Sequence, residues 1–163
     1  MQYYSSDNST VPGLAEYPPV AFYFKVFFVE LGMDSDTSFQ DVSGIGREMK
    51  TEDYAEGGEN GFVHHLPKSV EYKRLVLKRG IATKKSALIV WCNKILEGEF
   101  SEKIETKTVK VFLMNAKGKV IRSWQFNKAY PVKWEVDSFN STKNEVSIET
   151  IELCYHNFSR TET

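Results

Sequence analysis

The chain has 163 residues, enough for one domain whose folding buries roughly 70% of the unfolded surface without help from a disulfide or a metal. Its 21 basic and 22 acidic residues nearly cancel, which implies no phosphate-seeking surface and argues against nucleic acid as a partner. No apolar run reaches the roughly 18 residues of a membrane span. The first ten residues lack the basic and apolar regions of a signal peptide, so a cytoplasmic protein is expected.

Eleven Phe, eight Tyr and three Trp favour strands, because flat side chains fit a pleated, half-buried surface. Residues 1–16 are polar and broken by Pro12 and Gly13, and they read as a flexible arm ahead of a domain at 17–159. Pro18-Pro19 launches a strand from Val20 to Leu31. Phe22, Phe24, Val26 and Phe28 share one face of it; Tyr23, Phe27, Val29 and Leu31 share the other, interrupted by Lys25. A strand apolar on both faces is covered on both. Here one cover is the core and the second is the helix or another chain. Phe39 to Ile45 and Arg47 to Tyr54 are the next strands, separated by a bend at Gly44 and Gly46.

A long polar loop carrying Gly57, Gly58 and Gly61 follows, ending in the apolar stub Phe62, Val63, Leu66 and Pro67. Loops of this length are uncommon in compact domains and usually bind something. A solvated linker would not need the stub, so docking on a neighbour is the expected role. Glu71 to Ile81 is a strand with Leu75 and Leu77 facing inward. The period then changes: Ala87, Leu88, Trp91, Cys92, Ile95 and Leu96 form one helical stripe within Lys84 to Glu97, with Thr83 as N-cap and Gly98 as terminator. Thr106 to Asn115 and Lys119 to Asn127 flank the hairpin turn Ala116-Lys-Gly118. Pro131 to Val136 is a further strand. In the last, Glu145 to Tyr155, Val146 and Ile148 share one face but Ile151, Leu153 and Tyr155 the other, which predicts a bulge, or a crossing between two sheets, near Glu149-Thr150. The fold class is mainly β, a sandwich or partly closed barrel with one flanking helix.

Nothing in this pattern specifies catalysis. His64 and His65 are adjacent and point to opposite sides of an extended backbone, and only His156 remains elsewhere, so no metal is expected. No nucleophile elbow is present. Cys92 lies on the apolar stripe, where it reads as a buried thiol; Cys154 is read the same way. The glycine cluster lacks the Gly-Lys-Ser/Thr ending of a phosphate loop, and Glu56 and Glu59 would repel phosphate. No cofactor is implied. The aromatic excess, including Trp124, Phe126, Tyr130 and Trp134, exceeds what one face of a small sandwich requires and favours oligomerisation.

Seven segments in order carry a resemblance to a known family: Tyr17-Pro-Pro-Val-Ala-Phe-Tyr-Phe-Lys-Val-Phe27, Phe39-Gln-Asp-Val-Ser-Gly-Ile45, Tyr54-Ala-Glu-Gly-Gly-Glu-Asn60, His65-Leu-Pro67, Leu75-Val-Leu-Lys-Arg-Gly-Ile81, Trp124-Gln-Phe-Asn-Lys-Ala-Tyr-Pro-Val-Lys-Trp134 and Val146-Ser-Ile-Glu-Thr-Ile-Glu-Leu153. Together, from about Tyr17 to Phe158, they resemble the inner-tube proteins of myophage tails and extracellular contractile injection systems. The resemblance implies a β-barrel-like fold with a flanking helix, shared with the type VI secretion tube protein. It further implies a homohexameric ring that stacks on adjacent tube rings, with hub, spike and baseplate proteins as partners and the enclosing sheath as a further candidate. The particle would be released from the cell or anchored to its membrane. The loop at 54–67 falls where family members contact one another, which makes Glu56, Gly57, Gly58, Glu59, Asn60, Phe62, His64, His65 and Leu66 interface candidates, with Tyr23 and Phe27 on the two-faced strand. The loop sequence, with Tyr-Pro-Pro-Val upstream, resembles the baseplate-proximal tube initiator more than the repeating tube subunit. A monomeric β-sandwich that captures a ligand between its sheets is the alternative from a different class.

Overall fold

The computed structural model describes residues 23–31, 39–54, 62–81, 86–98, 103–137 and 147–162. The predicted arm at 1–16 lies outside them. The strand predicted at 20–31 is β1, Tyr23–Phe28, followed by a single 3-10 turn at Val29–Leu31. The turn ends the strand because Glu30 folds back, its carboxylate accepting the Thr108 amide N–H at 2.8 Å. Val26 and Phe28 of one apolar face are buried; of the other, Tyr23 and Val29 are exposed, and Leu31, carried by the turn, packs against the core.

Two strands, β2 at Asp41–Ser43 and β3 at Arg47–Tyr54, are separated at Gly44 as predicted. Gly44 has φ +81°, and a Cβ there would fall 1.8 Å from the Arg74 carbonyl oxygen, so only glycine lets the two chains cross this closely. The next segment departs from expectation. His64–Tyr72 is a strand, β4, that pairs antiparallel with all of β3. The stub read as the end of a loop therefore belongs to a hairpin. The strand expected at Glu71–Ile81 is accordingly split, and β5 runs only from Leu75 to Gly80. β5 pairs with β2, so β2–β3 and β4–β5 form one long ribbon, bent where Gly44–Gly46 crosses Lys73–Arg74.

Helix α1 spans Ala87–Leu96. Its N-cap is Ser86, whose hydroxyl accepts the Ile89 N–H; Thr83, the expected cap, lies outside the described residues. Leu88, Trp91 and Cys92 are buried, while Leu96 is exposed at the end of the stripe. Strands β6, Lys107–Met114, and β7, Val120–Val136, meet at the predicted turn. There the Asn115 side chain accepts the amides of Lys117 and Lys119, and Gly118 has φ +74°.

The two strands expected at Lys119–Asn127 and Pro131–Val136 are one. The 17-residue β7 bends at Lys128, φ 53°, and changes partners there. Its first half lies between β6 and β9, Asn157–Glu162, and its second half pairs with β8, Ile148–Cys154. The order is β1-β6-β7-β8-β5-β2, with β9 also on β7. Among the described residues β1 and β2 do not pair, so the seven-stranded sheet folds over on itself as a sandwich and does not close into a barrel.

Neither the bulge nor the crossing predicted near Glu149-Thr150 occurs, since β8 pairs with β5 in unbroken register from Leu153 to Ile148 and stays in one sheet. The register shift lies instead in β7, between Pro131 and Lys133, opposite Leu153 and Glu152 of β8. The apparent change of phase has another cause: Glu149 is a buried charge on the core side, aligned with Ile151 and Leu153. Phe28, Leu75, Leu77, Val109, Phe126, Ile151 and Leu153 form the centre of the core. α1 closes one end, with Trp91 edge-on to Phe28 and its indole N–H donating to the Glu105 carbonyl at 2.9 Å.

Candidate assembly interface

The β3–β4 hairpin stands away from the core. All eight residues of β3 and all nine of β4 are exposed. Cross-strand register divides its side chains into two faces, because directly opposed residues share a side. On one face Arg47 lies opposite Tyr72, Met49 opposite Val70, Thr51 opposite Pro67 and Asp53 opposite His65. Its apolar part is Met49, Val70 and Tyr72, with Pro67 beyond them, and Asp53 and His65 lie towards the tip. It runs into an aromatic cluster on the body, where Tyr72 contacts the rings of Tyr155 and Phe158, and Phe126 packs on both. Arg47 covers the Phe158 ring at 5.8 Å.

The other face carries Glu48, Lys50, Glu52 and Glu71, with Tyr54, His64 and Leu66 towards the tip. Lys68 is the extra residue where the register shifts opposite Lys50/Thr51. Lys50 pairs with Glu71 and Lys68 with Glu52, both at 3.6 Å. Such exposed pairs contribute about 0–1 kcal/mol each. Their effect is to keep this face wet and to discourage another strand from adding to the hairpin edge.

Of the sequence candidates, Phe62, His64, His65 and Leu66 come together at the outer end of the hairpin. His65 Nδ1 lies 2.6 Å from Asp53 Oδ1, while the His64 ring meets Phe62 edge-on at 5.0 Å, so the two histidines face opposite ways. Glu56, Gly57, Gly58, Glu59 and Asn60 lie outside the described residues. Tyr23 and Phe27 are not part of the hairpin; they sit on the outer side of β1, which among the described strands pairs only with β6. Sequence reading missed Met49, Val70 and Tyr72, because an exposed hairpin has no core-directed alternation to reveal them.

Among the described residues, no three His, Cys, Asp or Glu side chains are placed to hold a metal ion, and no helix is long and apolar enough to cross a membrane. Burial pushes the Cys92 thiol up to about 12, with Glu149 adding to the rise, so it is not a thiolate nucleophile at neutral pH. Cys154 is half-buried rather than buried.

Residues 20–159 match the profile of the family described as T4-like virus tail tube protein gp19. The chain belongs to that family. Its role is therefore structural, as a tail-tube component of a contractile system. A chain in the cryo-EM structure of the anti-feeding prophage (AFP) baseplate, 6-fold symmetrised, is 27% identical with a TM-score of 0.76, over 91% of this chain and 98% of that one. A chain of the extracellular contractile injection system PVC, in its extended sheath-tube complex, is 24% identical with a TM-score of 0.72, over 91% and 94%. Hcp1 from Flavobacterium johnsoniae shares the fold at 18% identity and a TM-score of 0.55, over 86% and 95%. No curated protein sequence matches the chain.

Proposed function

We propose that this protein is the tube initiator of a contractile injection system: six copies form a ring that joins the hub and spike to the first ring of the tube, with no enzymatic activity of its own. The observation that carries the reading is the likeness to a chain of a six-fold symmetrised baseplate, which spans 98% of that chain. Residues 17–159 form the ring-building domain, preceded by an arm at 1–16. The baseplate below, the tube ring above and the sheath outside are its partners. Assembly takes place in the cytoplasm.

The surface supports a ring. A ring needs a heterologous contact that closes after rotation, and a tube needs a second, axial contact that does not close. β1 and β2 end the sheet with outer edges that no described strand covers, and edges of that kind are normally protected by pairing or by a partner.

An initiator must present different axial faces, because a self-complementary pair would polymerise without limit. Expressed alone, the protein should stop at single rings or short, irregular stacks. Added in substoichiometric amounts to the repeating tube subunit, it should shorten the lag before tubes form and occupy one end only. Light scattering with electron microscopy of labelled ends measures both. Long smooth tubes from this protein alone would assign it as the repeating subunit, and a clean monomer would favour the ligand-binding module.

A further inference from the structure

The outer face of β1, β6 and the first half of β7 carries lysines and apolar side chains but no carboxylate. Tyr23 stands beside Met114, Lys25 beside Phe112 and Phe27 beside Lys110. These residues alternate with the buried Val26, Phe28, Val109 and Val111, so they face away from the core. By register, Ser123 and Gln125 of β7 continue the same face, followed by Thr161 and Ser159 of β9. Tyr23 is 58% exposed, and Phe27, Phe112 and Met114 are half-buried. The charged side chains among these positions are Lys25 and Lys110. Lys107, at the head of β6, lies over the Trp91 ring and is not part of this face. Glu30, just past β1, is engaged with the Thr108 amide N–H.

The chain ahead of β1 has the complementary character. Residues 1–22 lead directly into Tyr23, at the corner of this face. Asp7 and Glu16 are their charged side chains, with no lysine or arginine, while Tyr3, Tyr4, Val11, Leu14 and Tyr17 supply apolar surface. The family profile begins at residue 20, so residues 1–16 lie outside the part of the chain that it matches. Reach is ample: the stretch from Asp7 to Tyr23 extends up to roughly 50 Å, whereas the face measures roughly 20 Å along β1 and roughly 15 Å across four strands. A segment tethered this close has an effective concentration in the millimolar range. Two exposed ion contacts of ordinary strength and a few apolar ones then suffice to seat it. A free partner has no such advantage.

We propose that residues 1–16 dock on the outer face of β1 and β6 in their own subunit, with Asp7 and Glu16 set against Lys25 and Lys110 and the tyrosines against Phe27 and Phe112. The arm is then a tethered cover. It shields the apolar side chains of the free subunit, and any partner of this face has to displace it. The contact is made within one chain and does not depend on the ring reading.

Zero-length carbodiimide cross-linking of the full chain, read by peptide mass spectrometry, tests this without any substitution. Asp7 should be joined to Lys110 or Lys25 in preference to the exposed hairpin lysines, Lys50 and Lys68. The decisive product is Asp7 with Lys110, because Glu16 is close to Lys25 along the chain wherever the arm lies. In an equal mixture of unlabelled and isotope-labelled chains, each product should join two peptides of the same kind. Mixed products would give the face to a second copy and overturn the assignment; so would products spread evenly over the lysines, or none at Asp7. A second measurement follows chymotrypsin cleavage after Tyr3 and Tyr4. The Lys25→Glu/Lys110→Glu variant should be cut roughly fivefold faster than the parent, the effect of losing two exposed ion contacts, with unchanged circular dichroism. Lys50→Glu/Lys68→Glu, on the hairpin, should be cut at the parent's rate. Equal rates for the parent and the Lys25→Glu/Lys110→Glu variant, or the same gain from the hairpin variant, would overturn the proposal.

Discussion

Removing one partner of the buried ion pair between Arg79 and Glu149 should cost more stability than any other single charge change in the described fold. The two residues are directly opposed in the β5–β8 register, and each is 3% exposed. Arg79 Nε donates to Glu149 Oε2 at 2.7 Å, and its Nη2 donates to the Ser86 hydroxyl at 3.0 Å. The guanidinium also lies 5.4 Å from the Phe39 ring centre, and the second Glu149 oxygen accepts the Trp134 indole N–H at 2.7 Å. One charge pair thus ties β5, β8, β7, the cap of α1 and Phe39 together. Glu149→Leu would take the Glu149 carboxylate away from a buried guanidinium, a loss of about 3–5 kcal/mol. That is a large share of the about 5–15 kcal/mol that holds a domain together. At about 2–4 °C per kcal/mol for a chain of this size, the melting temperature should fall by roughly 6–20 °C. The double variant Arg79→Met/Glu149→Leu removes both charges. It should recover most of the loss, remaining about 1–2 kcal/mol below the parent because Ser86 and Trp134 lose hydrogen-bond partners. Urea unfolding of the four proteins, arranged as a double-mutant cycle, measures the coupling directly. A Glu149→Leu cost below about 1 kcal/mol, or a double variant as unstable as the two singles added together, would refute the argument.

Two further outcomes follow from backbone and burial. Gly44→Ala should cost at least about 2 kcal/mol, because both the positive φ and the 1.8 Å approach to Arg74 must be relieved. Gly118→Ala, with a similar φ but nothing within 4 Å, should cost only about 1 kcal/mol, and thermal melts that rank the two the other way would contradict this. The third concerns Cys92, whose thiol is raised from 9.0 to about 12 in the fold. The folded state therefore holds its proton more tightly than the unfolded chain does. The contribution is whole below about pH 9 and is lost as pH climbs toward 12. Cys92→Ala should flatten the fall in stability between about pH 9 and 11, and an unchanged slope would show that other groups govern it.

What could be read from the sequence is what the core imprints on it. The β1 face with Val26 and Phe28, the stripe of α1 and the Asn115–Lys119 turn each write a period or a turn residue into the chain. The misreadings share a cause as well. β7 looked like two strands because Lys128 and Pro131 interrupt it, yet the bend at Lys128 is what lets a single strand leave one half of the sheet for the other. The phase of β8 looked broken because Glu149 is polar, and its partner Arg79 lies 70 residues away. β9 offers one large apolar side chain, Phe158, which is too little for a period. Long-range pairing decided each of these segments, and no local window contains it.

The hairpin is the most instructive of these cases. In the sequence, Phe62, His64, His65 and Leu66 follow Gly57, Gly58 and Gly61 and look like the end of a long polar loop. Instead, His64 to Tyr72 is hydrogen-bonded against Arg47 to Tyr54 over eight register pairs. A flexible loop would have to be ordered on binding, and fixing each residue costs about 1–2 kcal/mol. A paired hairpin has already met that cost within the subunit, so an apolar face built on it reaches a partner preorganised. The same rigidity creates a hazard, since two exposed strands offer edges to any other strand. Pro67 removes one amide donor from β4, and the extra residue Lys68 breaks the regular register beside it. Charges at Lys50, Glu52 and Glu71 occupy the opposite face. These features leave the apolar face as the surface best suited to docking, and they favour a partner that meets side chains over one that adds a strand.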